Sequence, residues 1–366
     1  MSLNLERYAP TFSLLVGGDP QPDLRKSIIS IEVDESIETA STFTFNINEG
    51  FDKKTQKFTW LDSKLLDPES GEDLEIRLGY AGEAGKSSSP LIIGRITALN
   101  PSFPSSGTPS LSVQGLDHTF LLQKSIAGMK KTFLDKSYSD VVKEIAKAKN
   151  LGGAKIEEIG IKPCETIVQN ADESDYDFIK RLADRIGYEF FVRNKEIYFR
   201  KPMDDTEEVL QLSWGREIMS FSPRMSTAKV VSKFTVRGHN QKDPSRPIVG
   251  IATLSDLGFK ETGARSGAEG AGSDQSEATK SDIPVCSEED AKNLARALLL
   301  KANNSLIEGS CECMGIPGVR AGTNIRIDGV GKRFSGRYYI KSVKHSIGDG
   351  GYTMSLSLRR GGSGII

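Results

Sequence analysis

Histidine is nearly missing from this chain: His118, His239 and His345 are the only three in 366 residues. Histidine is the commonest general base near neutral pH, and these three fall in separate strand-like contexts, so a histidine-based catalytic site has little support. Cysteine is scarce as well. Cys164, Cys286, Cys311 and Cys313 are too few to staple a chain of this length, which fits free thiols in a reducing compartment. No run of about 18 apolar residues could cross a membrane as a helix, and Met1 to Pro10 lacks the basic-then-apolar layout of a secretory leader, so synthesis in the cytoplasm is expected. Neither sign of charge is in excess: 48 Lys and Arg against 49 Asp and Glu leave a formal −1. No overall field would draw the protein to nucleic acid or an anionic membrane, and contact with neither is expected.

What the chain does have is short alternating apolar runs spread over a length that allows two or three modules. Ser27 to Asp34 sets Ile28, Ile31 and Val33 among polar neighbours, and Thr42 to Asn48 places Phe43, Phe45 and Ile47 on one face. Further strands are expected at Leu74 to Tyr80, Leu91 to Leu99 and Leu111 to Gly115, a spacing that suggests a barrel or sandwich. The pattern then changes. Ser139 can cap a helix with Val141, Val142, Ile145 and Ala146 on one face, ended near Gly152-Gly153. A second helix is framed by the Ser174 to Asp177 capping layout and by Gly187 at its stop, with Phe178, Ile179, Leu182, Ala183 and Ile186 at helical spacing. A hairpin follows over Tyr188 to Arg200.

Strands resume at Val209 to Trp214, Ser220 to Ser222 and Lys229 to Gly238. The stretch from about Thr262 to Asp282 carries almost nothing to bury and reads as a flexible loop. A third helix starts at Ser287, with Leu294, Ala295, Leu298, Leu299 and Ala302 inward. Strands at Ile307 to Met314, Asn324 to Ile327, Gly336 to Ser346 and Tyr352 to Arg359 close the chain, the last two around a Gly348 to Gly351 turn.

Motifs that could carry chemistry fail one by one. Gly79 to Ser87 ends like a phosphate-binding loop, but Tyr80 stands where its first glycine belongs and Pro90 leads into a strand, not a helix whose N-terminus could hold an anion. Cys311 and Cys313 share a strand face without a second pair to complete a zinc site, so both read as small buried residues. Asp117 and His118, adjacent on a strand, point to opposite faces and cannot act as a base and its orienting partner. Asp175, Asp177, Glu288 and Asp290 are explained as helix-start residues complementing the dipole. No catalytic residue, metal site or cofactor is expected.

The order of elements, with several local stretches, resembles the late control D family of phage tail hub proteins. The stretches are Tyr8-Ala9-Pro10, Gly94-Arg95-Ile96 to Phe103, Val113 to Asp117, Asp177 to Ala183 with Gly187 to Phe190, Phe334 to Ile340, Val343 to His345 and Gly350 to Tyr352. Members look like hubs of contractile phage tails, R-type bacteriocins and extracellular injection systems, and resemble the N-terminal part of type VI secretion spike proteins. The resemblance implies an α+β, mainly β fold: two tube-like antiparallel β-barrel domains with a small α/β insert and one long helix in the C-terminal half. The expected divisions are 1–125, 126–202 and 203–366. Gly94, Asp117, Phe178, Arg181, Gly187, Tyr188, Gly336 and Tyr338 would be structural signature positions.

It further implies a non-enzymatic homotrimer whose six barrels join a hexameric tail tube to a trimeric spike. Its partners would be the tube protein, a separate spike protein (no needle follows Gly361 to Ile366) and baseplate wedge proteins, within a phage or injection particle. Two readings from other classes stand beside it: a tail-associated peptidoglycan hydrolase using two carboxylates, and a monomeric β-rich ligand-binding module.

Overall fold

The computed structural model describes residues 9–81, 89–159, 166–203, 206–228, 230–238, 246–257, 276–285 and 287–361. Strands take 47% of the chain and helices 19%, so the fold is α+β and mainly β. Alternation shapes the first half. In β3 (Thr42–Asn48) Phe43, Phe45 and Ile47 are buried while their neighbours face outward, each such side chain contributing roughly 1.5–3 kcal/mol by leaving water. The same logic builds β1 (Pro10–Val16), β2 (Ile28–Ser36), β4 (Leu74–Tyr80), β5 (Ile92–Ser102) and β6 (Ser110–Asp117) around one core.

Next come α1 (Tyr138–Ala148), β7 (Gly152–Ile156), α2 (Asp175–Ile186) and the hairpin β8 (Glu189–Arg193) and β9 (Glu196–Arg200), with β7 parallel to β9. They enclose a separate core around Val141, Val142, Phe178, Ile179 and Phe199. Asn194 and Lys195 take positive φ at the hairpin turn, the twist that lets two strands meet through two residues.

The C-terminal part holds β10 (Glu208–Ser213), β11 (Ile218–Met225), β12 (Lys233–Gly238), β13 (Ile248–Thr253), β14 (Glu277–Ile283), α3 (Glu288–Asn303), β15 (Ile307–Met314), β16 (Asn324–Asp328), β17 (Gly336–Gly348) and β18 (Gly351–Arg360). It contains two packing units. One core gathers Leu212, Ile325, Tyr338 and Leu356; the other presses Ala291, Leu294, Ala295 and Leu299 of α3 onto Val236 and Ala252 of the small sheet β13–β12–β14.

The two large β regions share a single thirteen-stranded sheet. It runs β11–β15–β18–β17–β2–β3–β6–β5–β4–β1 and ends on the two-residue strand Asp19–Pro20, which pairs with the end of β1, with β16 and β10 branching from β17. The joint is β17: one edge pairs with β18, while the other pairs first with β16, through Gly336 to Tyr339, and then with β2, through Ser342 to Ile347. Among the described residues no ladder closes either region into a barrel; β10 and β11 meet at one bridge, Trp214 to Ile218.

Three local expectations need correction. The cap of α1 is Ser137, whose Oγ accepts from Asp140 N at 3.2 Å while Asp140 accepts from Ser137 N at 3.0 Å; Ser139 lies inside the helix, buried, donating to Glu158 at 3.2 Å. The chain leaves that helix through Asn150, at φ 54°, and Gly152-Gly153 opens β7 instead. Of the expected loop from Thr262 to Asp282, residues 262–275 lie outside the described residues, but Glu277 onward forms β14, held by a parallel backbone ladder to β12. A ladder made of main-chain bonds leaves no apolar pattern to read.

Candidate functional site

The eight signature positions do not converge on one place. Gly94 in β5 faces Asp117 across the ladder, where a Cβ would run into the Leu116 carbonyl. Asp117 is buried and accepts from Ser41 N at 3.0 Å and Thr119 N at 2.9 Å, so it ties the β2–β3 turn to the end of β6. Burial pushes its carboxyl up to about 6 despite those donors.

Phe178 fills the insert core against Phe133, ring centroids 5.7 Å apart. Arg181 lies over the Phe178 ring and forks onto Glu173 at 2.7 and 2.8 Å and onto Val168 O at 2.9 Å. Gly187 is the left-handed stop of α2, φ 72°, with Ala297 of α3 so near that a Cβ would press on it at 3.2 Å. Tyr188 packs on Phe199, and burial, with Glu157 nearby, pushes its phenol up to about 12. Gly336, φ 139°, makes room for the Arg360 guanidinium, which in turn lies over the ring of buried Tyr338. Each position thus holds two elements together.

A group that no local motif announced does converge. Glu35 at the end of β2 is buried and ion-paired with Arg193 of the β8–β9 hairpin and, at 3.2 Å, with Arg320. Arg193 also donates to Ala321 O at 2.6 Å, and Arg320 to Leu91 O at 2.6 Å. Burial pulls the Arg320 guanidinium down while Glu35 holds it up. Beside this set, Tyr339 of β17 donates to both Glu189 oxygens at 2.6 and 2.7 Å, and Asp73 takes Lys195, His118 at 2.9 Å and Arg95 at 3.2 Å. These groups pin the insert hairpin to both large β regions. Buried charges are tolerated only when paired this way.

The remaining reactive side chains are committed internally. His118 faces Asp73, not its neighbour Asp117. His345 is buried, its Nε2 donating to Val319 O at 3.1 Å and its Nδ1 accepting from Tyr352 at 2.8 Å; burial pulls it down to about 4. Cys311 and Cys313 are buried, and the neighbouring thiol together with burial pushes Cys313 up. His239, Cys164, Cys286 and residues 82–88 of the phosphate-loop look-alike lie outside the described residues. Among the described residues no three acidic, Cys or His groups are placed to hold a metal, and no helix is long and apolar enough to cross a membrane.

The family model for the Alg8 N-terminal domain matches residues 7–349. The chain belongs to that family. Comparison with curated proteins found no match. Among solved structures, this Alg8 N-terminal domain member is similar to the 43 kDa tail protein of prophage MuSo2 from Shewanella oneidensis, at TM-score 0.69 and 16% identity over 96% of this chain and 98% of that one. A tail protein from Neisseria meningitidis MC58 gives 0.67 and 13% over 96% and 97%. The E. coli c3393 protein, a component of the type VI secretion system similar to T4 tail proteins gp27 and gp5, gives 0.58 and 14% over 94% and 76%. At these identities the likeness is one of fold.

Among the described residues a cleft of about 480 Å³ opens where the Ile37 to Thr39 turn, α2, α3 and β17 meet. Lys180 bridges it by donating to Glu38 O at 2.8 Å, and Lys301 and Lys341 pair with Asp184 and Glu308 at 3.4 and 2.9 Å. In this member of the family the cleft is a seam between α2, α3 and β17, with Lys301 and Lys341 paired to carboxylates along it.

Proposed function

We propose that the chain is a non-catalytic structural hub of a contractile tail or injection particle, of the late control D type. One observation carries this reading: the likeness in fold to two tail proteins spans nearly all of this chain and nearly all of theirs. The commitment of Asp117, His118, Glu35 and Glu189 to internal contacts supports a scaffold rather than an enzyme.

The hub would comprise residues 1–125 and 203–366 as two tube-like barrels and 126–202 as the insert. Three copies would present six barrels to a hexameric tail tube and three-fold symmetry to a spike, with wedge proteins outside. Closed symmetry of this kind pairs or covers open strand edges such as those of β1 and β10. The test is to purify the chain alone and with the spike protein encoded beside it, and to measure mass in solution and image the particles. Three-fold rings at three times the chain mass are expected; a monomer that persists with spike present defeats the proposal. Dye release from labelled peptidoglycan is expected to stay at background.

A further inference from the structure

Where the β8–β9 hairpin meets the first large β region, a cavity of about 10 Å³ lies between them. Its wall is apolar at Val33 and Val192 and polar at Glu35, Asp117, Arg193 and Asn194. One water molecule needs about 10–15 Å³, and internal cavities that stay dry are lined by apolar groups.

Three of the four polar residues on that wall hold buried atoms that make no hydrogen bond among the described residues. Asn194 donates through Nδ2 to Pro90 O at 3.1 Å. A carbonyl only accepts, so the amide is fixed this way round, and its Oδ1 remains a buried acceptor without a donor. Arg193 turns Nη2 onto Ala321 O and Glu35, while its Nε is a buried donor without an acceptor. Both Glu35 oxygens face guanidinium groups as ion pairs, yet neither makes a hydrogen bond. Asp117 differs, because its oxygens accept from Ser41 N and Thr119 N. One donor and two acceptor groups thus border a space of molecular size, and leaving such atoms unmatched inside a protein is expensive.

We propose that this cavity is a binding site for a single water molecule, which accepts from Arg193 Nε and donates to Asn194 Oδ1 and the Glu35 carboxylate. Water alone supplies two donors and an acceptor at this size. A metal cation would meet the Arg193 guanidinium, and Glu35 already faces two positive groups; an anion would meet Glu35 and Asn194 Oδ1. The water joins β2 to the turn of the insert hairpin. It also gives a reason for asparagine at φ 48° there, where glycine would satisfy the backbone but bring no acceptor. The proposal is independent of the hub reading.

The test is a crystal structure of the full chain at a resolution that shows ordered water, beside solution NMR of the same chain. One density peak is expected at about 2.7–3.2 Å from both Asn194 Oδ1 and Arg193 Nε. Magnetisation transfer from water to the Asn194 side-chain amide, with the sign of a bound molecule, is expected in solution. Val33→Ile, which adds a methyl group at the cavity wall, should remove both signals, and a thermal melt checks that it folds. An empty cavity between well-ordered walls overturns the proposal, as does a peak with oxygen neighbours near about 2.4 Å, the mark of a cation. So does a transfer signal that is missing from the natural chain or survives unchanged in folded Val33→Ile.

Discussion

Asp117 and His345 are both buried and both titrate far from their usual ranges, in opposite senses. The carboxyl is pushed up to about 6 and the imidazole pulled down to about 4, each chiefly by burial. Asp117 holds its proton more tightly folded than unfolded, so its contribution is present below about pH 4 and is lost as pH rises through 6. His345 holds its proton less tightly, so its contribution is present above about pH 6.5 and is lost as pH falls toward 4. In the natural chain these two dependences offset each other. Asp117→Asn should leave a protein that loses on the order of 2–3 kcal/mol more than the natural chain between pH 6.5 and 4, and His345→Gln should tilt the other way by a similar amount. Urea unfolding across that range measures both slopes; curves parallel to that of the natural chain would show that these groups do not titrate as their surroundings dictate.

Among the elements, α2 was legible in full, because Ser174, Asp177 and Gly187 act within a few residues of the helix they bound. Ser174→Ala should cost about 1 kcal/mol for the lost cap. Gly187→Ala should cost about 1–2 kcal/mol, since it meets both the left-handed backbone and Ala297; denaturant midpoints of the two variants, measured side by side, rank them. β3 was equally legible from its alternating Phe43, Phe45 and Ile47. The cap of α1 was missed by two residues because serines at 137 and 139 offer the same oxygen, and only the backbone angle at Ser137 decides between them. β14 was read as loop because β12, its partner, lies some forty residues away and contributes main-chain bonds alone. The pairing of β2 with β17 was out of reach for the same reason at far greater separation, and with it the fact that the two large β regions form one sheet. The signature positions rest on the family resemblance, and what each one touches is not written in its spacing; the Glu35, Arg193 and Arg320 junction was not legible, because an ion pair between distant residues leaves no spacing to find.

Across the whole molecule, that junction couples three cores. Glu35→Gln would leave two partly buried guanidinium groups without their carboxylate, a loss of about 2–3 kcal/mol, below the range for a fully buried pair broken from one side. Hydrogen exchange should then quicken together in β2, in the β8–β9 hairpin and around Arg320, and quickening confined to β2 would show that the junction does not couple them. The continuous sheet has a mechanical consequence of its own. Because β17 lends one edge to β16 and then to β2 while β18 runs along the other, a force applied to one β region along this strand enters the other as shear on many hydrogen bonds at once. No flexible linker lies on that path, so the strand acts as a tie rod, passing a push or pull from end to end with little stretch.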